Sequence, residues 1–331
     1  MIAFLCGGVL WNKMSYFPAM DLKNRPDLPG NQALIETVGK AASESGFLIL
    51  TNHGIQQGLS DRCFSMCQEF FDLQSEAKIK FATQRFLPSN SNSYRGYFPV
   101  IAGDPSQKEG FEFGQCSSPD SRFPETLRWP EIQGFEATLK KMHAELTRLG
   151  LYMLSLLGLY LGHRQDWMQK DFADGMSTFR IIHYPGNTQS QSFQSPNELT
   201  YSTPDHTDSG FITLLFQDNT GGLEALFPDG QWREVPPTEG AIVMNLGDLL
   251  AFLSGHRLKA TRHRVRTPSG SRLSMPFFFE PSPGTLIPWP YKGGAISGSY
   301  REGELVPYAD FLEKKIQSFG EYSVGSSRKD H

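Results

Sequence analysis

His206 and Asp208 are separated by a single residue, and their types suit metal binding. In an extended segment, side chains two positions apart leave the same face, so the imidazole and the carboxylate can reach one ion together. A third ligand is available in a later strand-like run, where His263 points away from its neighbours Arg262 and Arg264. Two histidines and one carboxylate occupy three adjacent positions of an octahedral metal and leave three open, which favours Fe(II). Zinc is also compatible with these ligands.

Arg272 and Ser274 follow His263 in the next strand-like run and also share one face. A guanidinium binds a carboxylate through two parallel hydrogen bonds, and a neighbouring hydroxyl can donate another. With a metal at one end and an arginine at the other, these residues predict a slot for a dicarboxylic 2-oxo acid such as 2-oxoglutarate. The arginine and the hydroxyl favour Fe(II)-dependent oxidation over zinc-dependent hydrolysis.

The residues after position 175 form short runs of strand composition, several of them separated by turn residues. Many short strands at this spacing predict a sandwich, a jelly roll or a barrel, in which the ligand candidates lie on neighbouring strands. The predicted strands are Thr178–Tyr184, Gly210–Gln217, Leu223–Phe227, Gln231–Val235, Ala241–Leu246, Thr261–Thr267 and Arg272–Glu280. The polar stretch 187–197 is predicted to be an insertion between two strands.

The first half of the chain contains helical patterns. Apolar residues recur at helical spacing in 31–46 and 59–73, and a short buried-strand run, Phe47–Leu50, follows the first of these. The segment 131–161 predicts one long amphipathic helix that braces the sheet. The polar, turn-rich segment 87–97 predicts a surface loop near the site.

We expect one globular unit. Its predicted parts are an N-terminal extension (1–15), an N-terminal helix and strand region (16–130), a catalytic core with its bracing helix (131–320) and a flexible tail (321–331).

The composition excludes several classes of protein. Hydrophobic residues make up 39% of the 331 residues and aromatic residues 12%, which is enough for a sizeable core. The net charge of -4 at pH 7 argues against a nucleic-acid partner and favours a small-molecule substrate. The apolar segment 1–10 is too short to span a bilayer and lacks a basic flank. The four cysteines form no CxxC pair, and we expect a cytoplasmic protein.

The stretch from HTDSGFITLLF to RLSMPFFFEP resembles the C-terminal domain of the Fe(II)/2-oxoglutarate-dependent dioxygenases of the isopenicillin N synthase-like superfamily. YFPAMDL and ESGFLILTNHGI are similar to the first strand and the helix-strand signature of the same superfamily. The resemblance implies a mainly β fold with flanking helices, whose core is a distorted double-stranded β-helix, or jelly roll.

The resemblance also implies roles for individual residues. The two histidines and the aspartate described above would bind iron, and Arg272 with Ser274 would bind the C5 carboxylate of 2-oxoglutarate. FRIIHYP resembles the RxNYYP strand of the family, which makes Tyr184 a hydroxyl donor to 2-oxoglutarate and Arg180 a substrate-facing residue. The sequence departs from that pattern at His183, where the family carries tyrosine.

The implied reaction is the oxidation of an unactivated C–H bond of a small metabolite, by hydroxylation, desaturation or ring closure in a biosynthetic pathway. It is coupled to the conversion of 2-oxoglutarate and O2 to succinate and CO2, and ascorbate is expected to stimulate it. Two alternatives stay open. One is an isopenicillin N synthase-type oxidase that takes all its electrons from its substrate, and the other is a catalytically silent protein that binds metal or ligand.

Substrate specificity in such proteins lies in variable loops, so the sequence gives only candidates for the residues that line the substrate pocket. For each candidate, ordinary packing in the core or in a loop is an equal alternative. Basic candidates favour an acidic or amino-acid-derived substrate. We expect no membrane partner and a monomer. The candidates are Tyr94, Arg95, Tyr97, Phe111, Phe113, Arg180, His183 and Phe279.

Overall fold

The computed structural model describes residues 16–23, 31–101, 106–115, 120–124, 128–186, 200–290 and 300–317. Most strands in these ranges belong to one large mixed sheet. In spatial order it contains β1 (Ala19–Asp21), β2 (Phe47–Thr51), β10 (Ile242–Leu246), β7 (Ile212–Gln217), β12 (Arg272–Phe279), β5 (Thr178–Tyr184), β4 (Glu109–Gly114) and β3 (Tyr97–Phe98).

A smaller sheet faces the larger one. An apolar cluster joins Phe47, Ile182 and Val243 of the larger sheet to Leu223 and Val265 of the smaller sheet. Two facing sheets with this shared interior form a jelly roll, which confirms the predicted fold. The smaller sheet has the order β6 (Tyr201–His206), β11 (His263–Arg266), β8 (Leu223–Leu226) and β9 (Trp232–Glu234), and β13 (Leu286–Pro288) pairs separately with β14 (Leu305–Pro307).

Helices cover the other face of the larger sheet. The 27-residue helix α4 (Phe135–Leu161) packs against α1 (Gln32–Glu44), α2 (Gln57–Phe71) and the sheet, as expected of the predicted bracing helix. It begins after Gly134 and ends at Gly162, whose left-handed φ of 90° stops the helix. The helices are α1 (Gln32–Glu44), α2 (Gln57–Phe71), α3 (Ser75–Lys78), α4 (Phe135–Leu161), α5 (Gln169–Ala173), α6 (Asp248–Leu253) and α7 (Tyr308–Ile316).

Strand alternation divides the larger sheet into an inner face, toward the smaller sheet, and an outer face, toward the helices. In β12, Met275 and Phe277 belong to the outer core, together with residues of α4. Arg272 and Ser274 therefore point to the inner face. The fold thus places the polar residues Arg272 and Ser274 between the two sheets and leaves Met275 and Phe277 to the helices.

The segment 87–97 is mainly a loop, as predicted, but only part of it lies at the surface. Asn90, Asn92 and Arg95 are buried. The Asn90 side-chain amide donates to the carbonyl oxygens of Lys80 and Ala82, at 3.2 and 2.6 Å. Buried backbone groups that have no hydrogen-bond partner in a strand or helix need another one, and polar side chains of this segment provide it.

The predicted extension 1–15, the insertion 187–197 and the tail 321–331 lie outside the described residues. Within the described part, no helix combines the length and the apolar composition needed to cross a membrane.

Gly39 allows α1 and α4 to approach closely, because a Cβ at this position would lie 2.0 Å from Cγ of Tyr160. Gly39→Ala should therefore lower the free energy of unfolding by about 1 to 3 kcal/mol, the usual cost of overpacking a core. Urea unfolding measures this value. Gly58→Ala is the matched control, since a Cβ at Gly58 in α2 would meet nothing within 4 Å. Equal stability of the two variants would contradict the role given to Gly39.

Candidate metal centre

The cross-strand pair of His206 and His263 brings two ligands together. His206 is the last residue of β6, His263 is the first of β11, and the two residues lie opposite each other in the antiparallel ladder. Asp208 lies in the turn that follows β6. Its Oδ1 atom is 3.8 Å from Nε2 of His206 and 3.7 Å from Nε2 of His263. All three ligand atoms lie within 4.8 Å of one another, so they can bind one ion.

Backbone carbonyl groups orient both imidazole rings. Nδ1 of His206 lies 2.9 Å from the carbonyl oxygen of Pro204, and Nδ1 of His263 lies 3.1 Å from that of Thr261. Each Nδ1 therefore carries the proton and donates it, which leaves Nε2 with a free lone pair toward Asp208. This second contact fixes the tautomer that a metal needs.

The two oxygens of the Asp208 carboxylate have different tasks. Oδ2 accepts hydrogen bonds from the hydroxyl of Thr213 and, at 2.7 Å, from the side-chain amide of Asn245. Oδ1 is left facing the histidines. The turn itself packs against Gly247, where a Cβ would lie 2.2 Å from the carbonyl oxygen of Gly210. Asp208 is thus held in place by its neighbours in β7 and β10.

The electrostatics of the three side chains suit a cation. Burial lowers the pKa of His206 to about 4, with the nearby His263 adding to the effect, although 40% of the His206 side chain still contacts solvent. Burial alone would raise the pKa of Asp208, but the two histidines and its hydrogen bonds lower it below its usual value. At neutral pH the site therefore offers a neutral His206 and a carboxylate, as Fe(II) prefers.

The side chains of Arg272, Ser274 and Tyr184 meet on the inner face of the larger sheet, where Arg272 lies opposite Tyr184 in the β12–β5 ladder. The Arg272 guanidinium carbon is 4.9 Å from the centre of the Tyr184 ring. Arg272 Nε donates to the carbonyl oxygen of Gly221 at 2.9 Å, and Nη2 to the side-chain oxygen of Gln217 at 3.5 Å. Its Nη1 atom is buried without a hydrogen-bond partner among the described residues.

A buried guanidinium with no carboxylate beside it is costly unless a ligand supplies the anion. Arg272 is 1% exposed and forms no ion pair within the described ranges. Burial alone would raise the pKa of Tyr184, but Arg272 and Lys108, with hydrogen bonds to Thr203 and Ser274, lower it. The buried guanidinium and the tyrosine beside it thus form a place that suits an anionic group such as a carboxylate.

Comparison with known proteins agrees with this geometry. A model of the 2OG-Fe(II) oxygenase superfamily matches residues 176–281, and a model of the N-terminal part of a non-haem dioxygenase in morphine synthesis matches residues 17–132. The 2-oxoglutarate-Fe(II) type oxidoreductase hxnY of Emericella nidulans is 32% identical over 268 residues, which are 76% of this chain and 74% of the relative. The chain belongs to the 2-oxoglutarate-Fe(II) oxygenase superfamily.

Two further relatives of the oxygenase are informative. A 1-aminocyclopropane-1-carboxylate oxidase homolog of Solanum lycopersicum is 30% identical over 81% of this chain and 70% of its own. A full-length Neurospora crassa protein, solved in complex with alpha-KG (2-oxoglutarate), has a TM-score of 0.72 and 26% identity over 91% of this chain and 96% of its own. It has also been solved with alpha-KG and thymine. These findings confirm the predicted enzyme class and the predicted use of Fe(II), 2-oxoglutarate and O2, and stimulation by ascorbate stays a prediction.

Five of the predicted pocket residues lie on the outer face of the larger sheet. The ring of Phe111 packs against Phe70 at 5.4 Å, and Nδ1 of His183 is 2.9 Å from Oε1 of Glu109. Alternation along β4, β5 and β12 points all five toward the helices. They do not line the space between the sheets, which corrects that part of the prediction. The five are Tyr97, Phe111, Phe113, His183 and Phe279.

Arg180 is a predicted pocket residue that lies on the inner face, with Tyr184. It donates to the buried carboxylate of Glu112. Its guanidinium carbon lies 5.4 Å from the ring centre of Phe98 and 5.3 Å from that of Phe278. The inner face next to the metal centre therefore combines a charge pair with two aromatic rings.

Tyr94 and Arg95 fix the start of β5. The Tyr94 hydroxyl is 3.2 Å from Oγ1 of Thr178, and Arg95 Nε donates to the same atom at 3.0 Å. Arg95 Nη2 also donates to the carbonyl oxygens of Met176 and Ser177. These contacts give both residues a structural role.

Thr213 is a functional residue that the sequence analysis missed. Its only signal is a polar side chain inside the otherwise apolar run Phe211–Phe216. Thr213→Val should weaken Fe(II) binding at least about tenfold, since loss of a contact that orients a metal ligand has this effect. Anaerobic titration with Fe(II) measures it. Thr51→Val in β2, whose hydroxyl donates to the carbonyl of Met20, should bind as the unchanged protein does. Unchanged affinity in Thr213→Val would contradict the orienting role.

Proposed function

We propose that this oxygenase couples the conversion of 2-oxoglutarate and O2 to succinate and CO2 with oxidation of an unactivated C–H bond of a small metabolite. The observation that supports this most directly is the buried Arg272 guanidinium, whose Nη1 atom has no partner among the described residues. In this proposal the guanidinium is one end of a slot whose other end is the His-Asp-His metal centre, and 2-oxoglutarate carries one carboxylate for each end.

In this proposal His206, Asp208 and His263 would hold Fe(II), which would allow O2 to act as the oxidant, with two of its four electrons coming from 2-oxoglutarate and two from the C–H bond. Asp208 offers one oxygen to the metal while Thr213 and Asn245 hold the other. The protein's further task is to bind and orient the reactants and to exclude water from them.

Arg272, Ser274 and Tyr184 bind the C5 carboxylate of 2-oxoglutarate in this proposal. Each of the three is at most 3% exposed, so water has little access to that carboxylate. A charge-assisted hydrogen bond is stronger in such surroundings than in water. The pocket therefore selects a co-substrate with a distal negative charge.

Arg180 is the residue that we propose to contact the substrate. Its pairing with Glu112 gives the inner face both a hydrogen-bond donor and an acceptor, and the rings of Phe98 and Phe278 add apolar surface. A small polar molecule that carries a carboxylate or carbonyl group fits this combination, and an amino-acid-derived metabolite is one such molecule. The solved complex of the Neurospora crassa relative with alpha-KG and thymine supports a substrate of this size. The predicted monomer and cytoplasmic location stay predictions.

The stoichiometry of the reaction tests the proposed function. Purified protein is given Fe(II), ascorbate, 2-oxoglutarate and a metabolite extract, and succinate and O2 are measured together. One succinate should form per O2 consumed. O2 consumption without succinate would instead support an oxidase of the isopenicillin N synthase type. Neither product nor O2 consumption across a broad substrate panel would support a silent binding protein.

Arg272→Met should reduce the affinity for 2-oxoglutarate at least about 100-fold, because one charged partner of the distal carboxylate is lost. Fe(II) affinity should stay unchanged, since Arg272 does not contact the three metal ligands. Anaerobic titration of the Fe(II) protein, followed by visible absorption, gives the dissociation constant of 2-oxoglutarate. Arg257→Met is the control, because Arg257 donates to carbonyl groups at the end of α4, away from the slot. Equal affinity in the two variants would rule out Arg272 as the carboxylate partner.

A further inference from the structure

Lys108 immediately precedes β4, which pairs with β5, the strand that carries Tyr184. In the β4–β5 ladder Glu109 is opposite His183, so the same register places Lys108 opposite Tyr184. Tyr184 is in turn opposite Arg272 in the β5–β12 ladder. Lys108, Tyr184 and Arg272 therefore occupy neighbouring positions across three adjacent strands.

The side chain of Lys108 belongs to the inner face. Glu109 points to the outer face, where its carboxylate pairs with Lys78 at 2.8 Å and lies 2.9 Å from Nδ1 of His183. Because successive residues of a strand point to opposite faces, Lys108 points to the side that carries Tyr184 and Arg272. Lys108 is half-buried there.

The charge of Lys108 also acts on Tyr184. Burial alone would raise the pKa of Tyr184, but Arg272 and, after it, Lys108 lower it. This agrees with the neighbouring positions of the three residues in the two ladders.

Arg272 alone would not supply all the hydrogen bonds that a bound C5 carboxylate can accept. Its Nε donates to Gly221 and its Nη2 points to Gln217, so Nη1 is the nitrogen without a partner among the described residues. A carboxylate accepts about four hydrogen bonds. A second cation two strands away, roughly 10 Å between backbones, can reach the same group through the flexible four-carbon stem of a lysine.

We propose that Lys108 is the second cation of the co-substrate slot and binds the C5 carboxylate of 2-oxoglutarate together with Arg272. The inference rests on the proposed function, because it needs 2-oxoglutarate in this slot. It assigns to Lys108 a share in selecting a dicarboxylate over a monocarboxylic 2-oxo acid. The planar guanidinium of Arg272 would fix the orientation of the carboxylate, and the flexible side chain of Lys108 would add a second, mobile positive charge.

The test compares two ligands that differ at the distal carboxylate. 2-Oxoglutarate carries it, and 2-oxopentanoate has a methyl group in its place. Both are titrated anaerobically into the Fe(II) protein and followed by visible absorption. Lys108→Met should weaken 2-oxoglutarate about tenfold or more, the loss of one charge-assisted hydrogen bond, and leave the affinity for 2-oxopentanoate unchanged. Lys108→Arg, which retains the charge, should restore most of the affinity.

Lys140→Met is the matched control, because Lys140 is an exposed lysine of α4 that pairs with Glu136 on the helical side. It should bind both ligands as the unchanged protein does. Fe(II) affinity and the midpoint of thermal unfolding should also be equal in all variants. This excludes a general effect on folding.

Three results would overturn the inference. An equal loss for both ligands in Lys108→Met would mean that the lysine acts at the metal end or through the fold. Unchanged affinity for both ligands would remove Lys108 from the slot and leave it as a substrate contact at most. Failure of the unchanged protein to bind 2-oxoglutarate would overturn the proposed function itself, and this inference with it.

Discussion

The separation of the two faces of the larger sheet is the constraint on which the site depends. In β12, Arg272 and Ser274 point between the sheets, while Met275 and Phe277 enter the core under the helices. A shift of one residue in register would exchange these two sets, and it would bury the guanidinium among the apolar residues of α4. The hydrophobic pattern of the strand therefore fixes the position of the polar site as firmly as that of the core.

Placing charged groups between the sheets has a cost in stability. Asp208 offsets its burial through Thr213, Asn245 and the two histidines, and the pKa of its carboxyl group stays low. Arg272 lacks an equivalent carboxylate within the described residues, and in the proposed function the co-substrate supplies one. A ligand that binds only the folded chain stabilises it by mass action. Stability and co-substrate occupancy are therefore linked in this protein.

The sequence predicts those features that regular patterns encode. The strand Thr178–Tyr184 and the long helix of the middle region have the predicted type and close to the predicted limits. The pocket residues of β4 and β5 are harder to predict, because β5 is buried along both faces and mixes polar with apolar residues on each, so its alternation does not show which side is inner. The sequence offers His183 as a basic pocket residue, but its position in β5 turns it to the helical face, where its ring lies beside Glu109. The segment 87–97 has the composition of an exposed turn, although Asn90 serves buried carbonyl groups.

The opposition of His206 and His263 in one ladder means that backbone pairing, rather than side-chain conformation, sets the spacing of the two imidazoles. Beyond this pair the ladder shifts its register, so that Val265 lies opposite Thr203. Such a bulge turns the strand and re-aims its side chains. An insertion or deletion within either strand could therefore retain every ligand of the motif and still separate the two rings. The sequence motif alone therefore does not establish a working metal centre in this fold. The pairing between these two strands must also be intact.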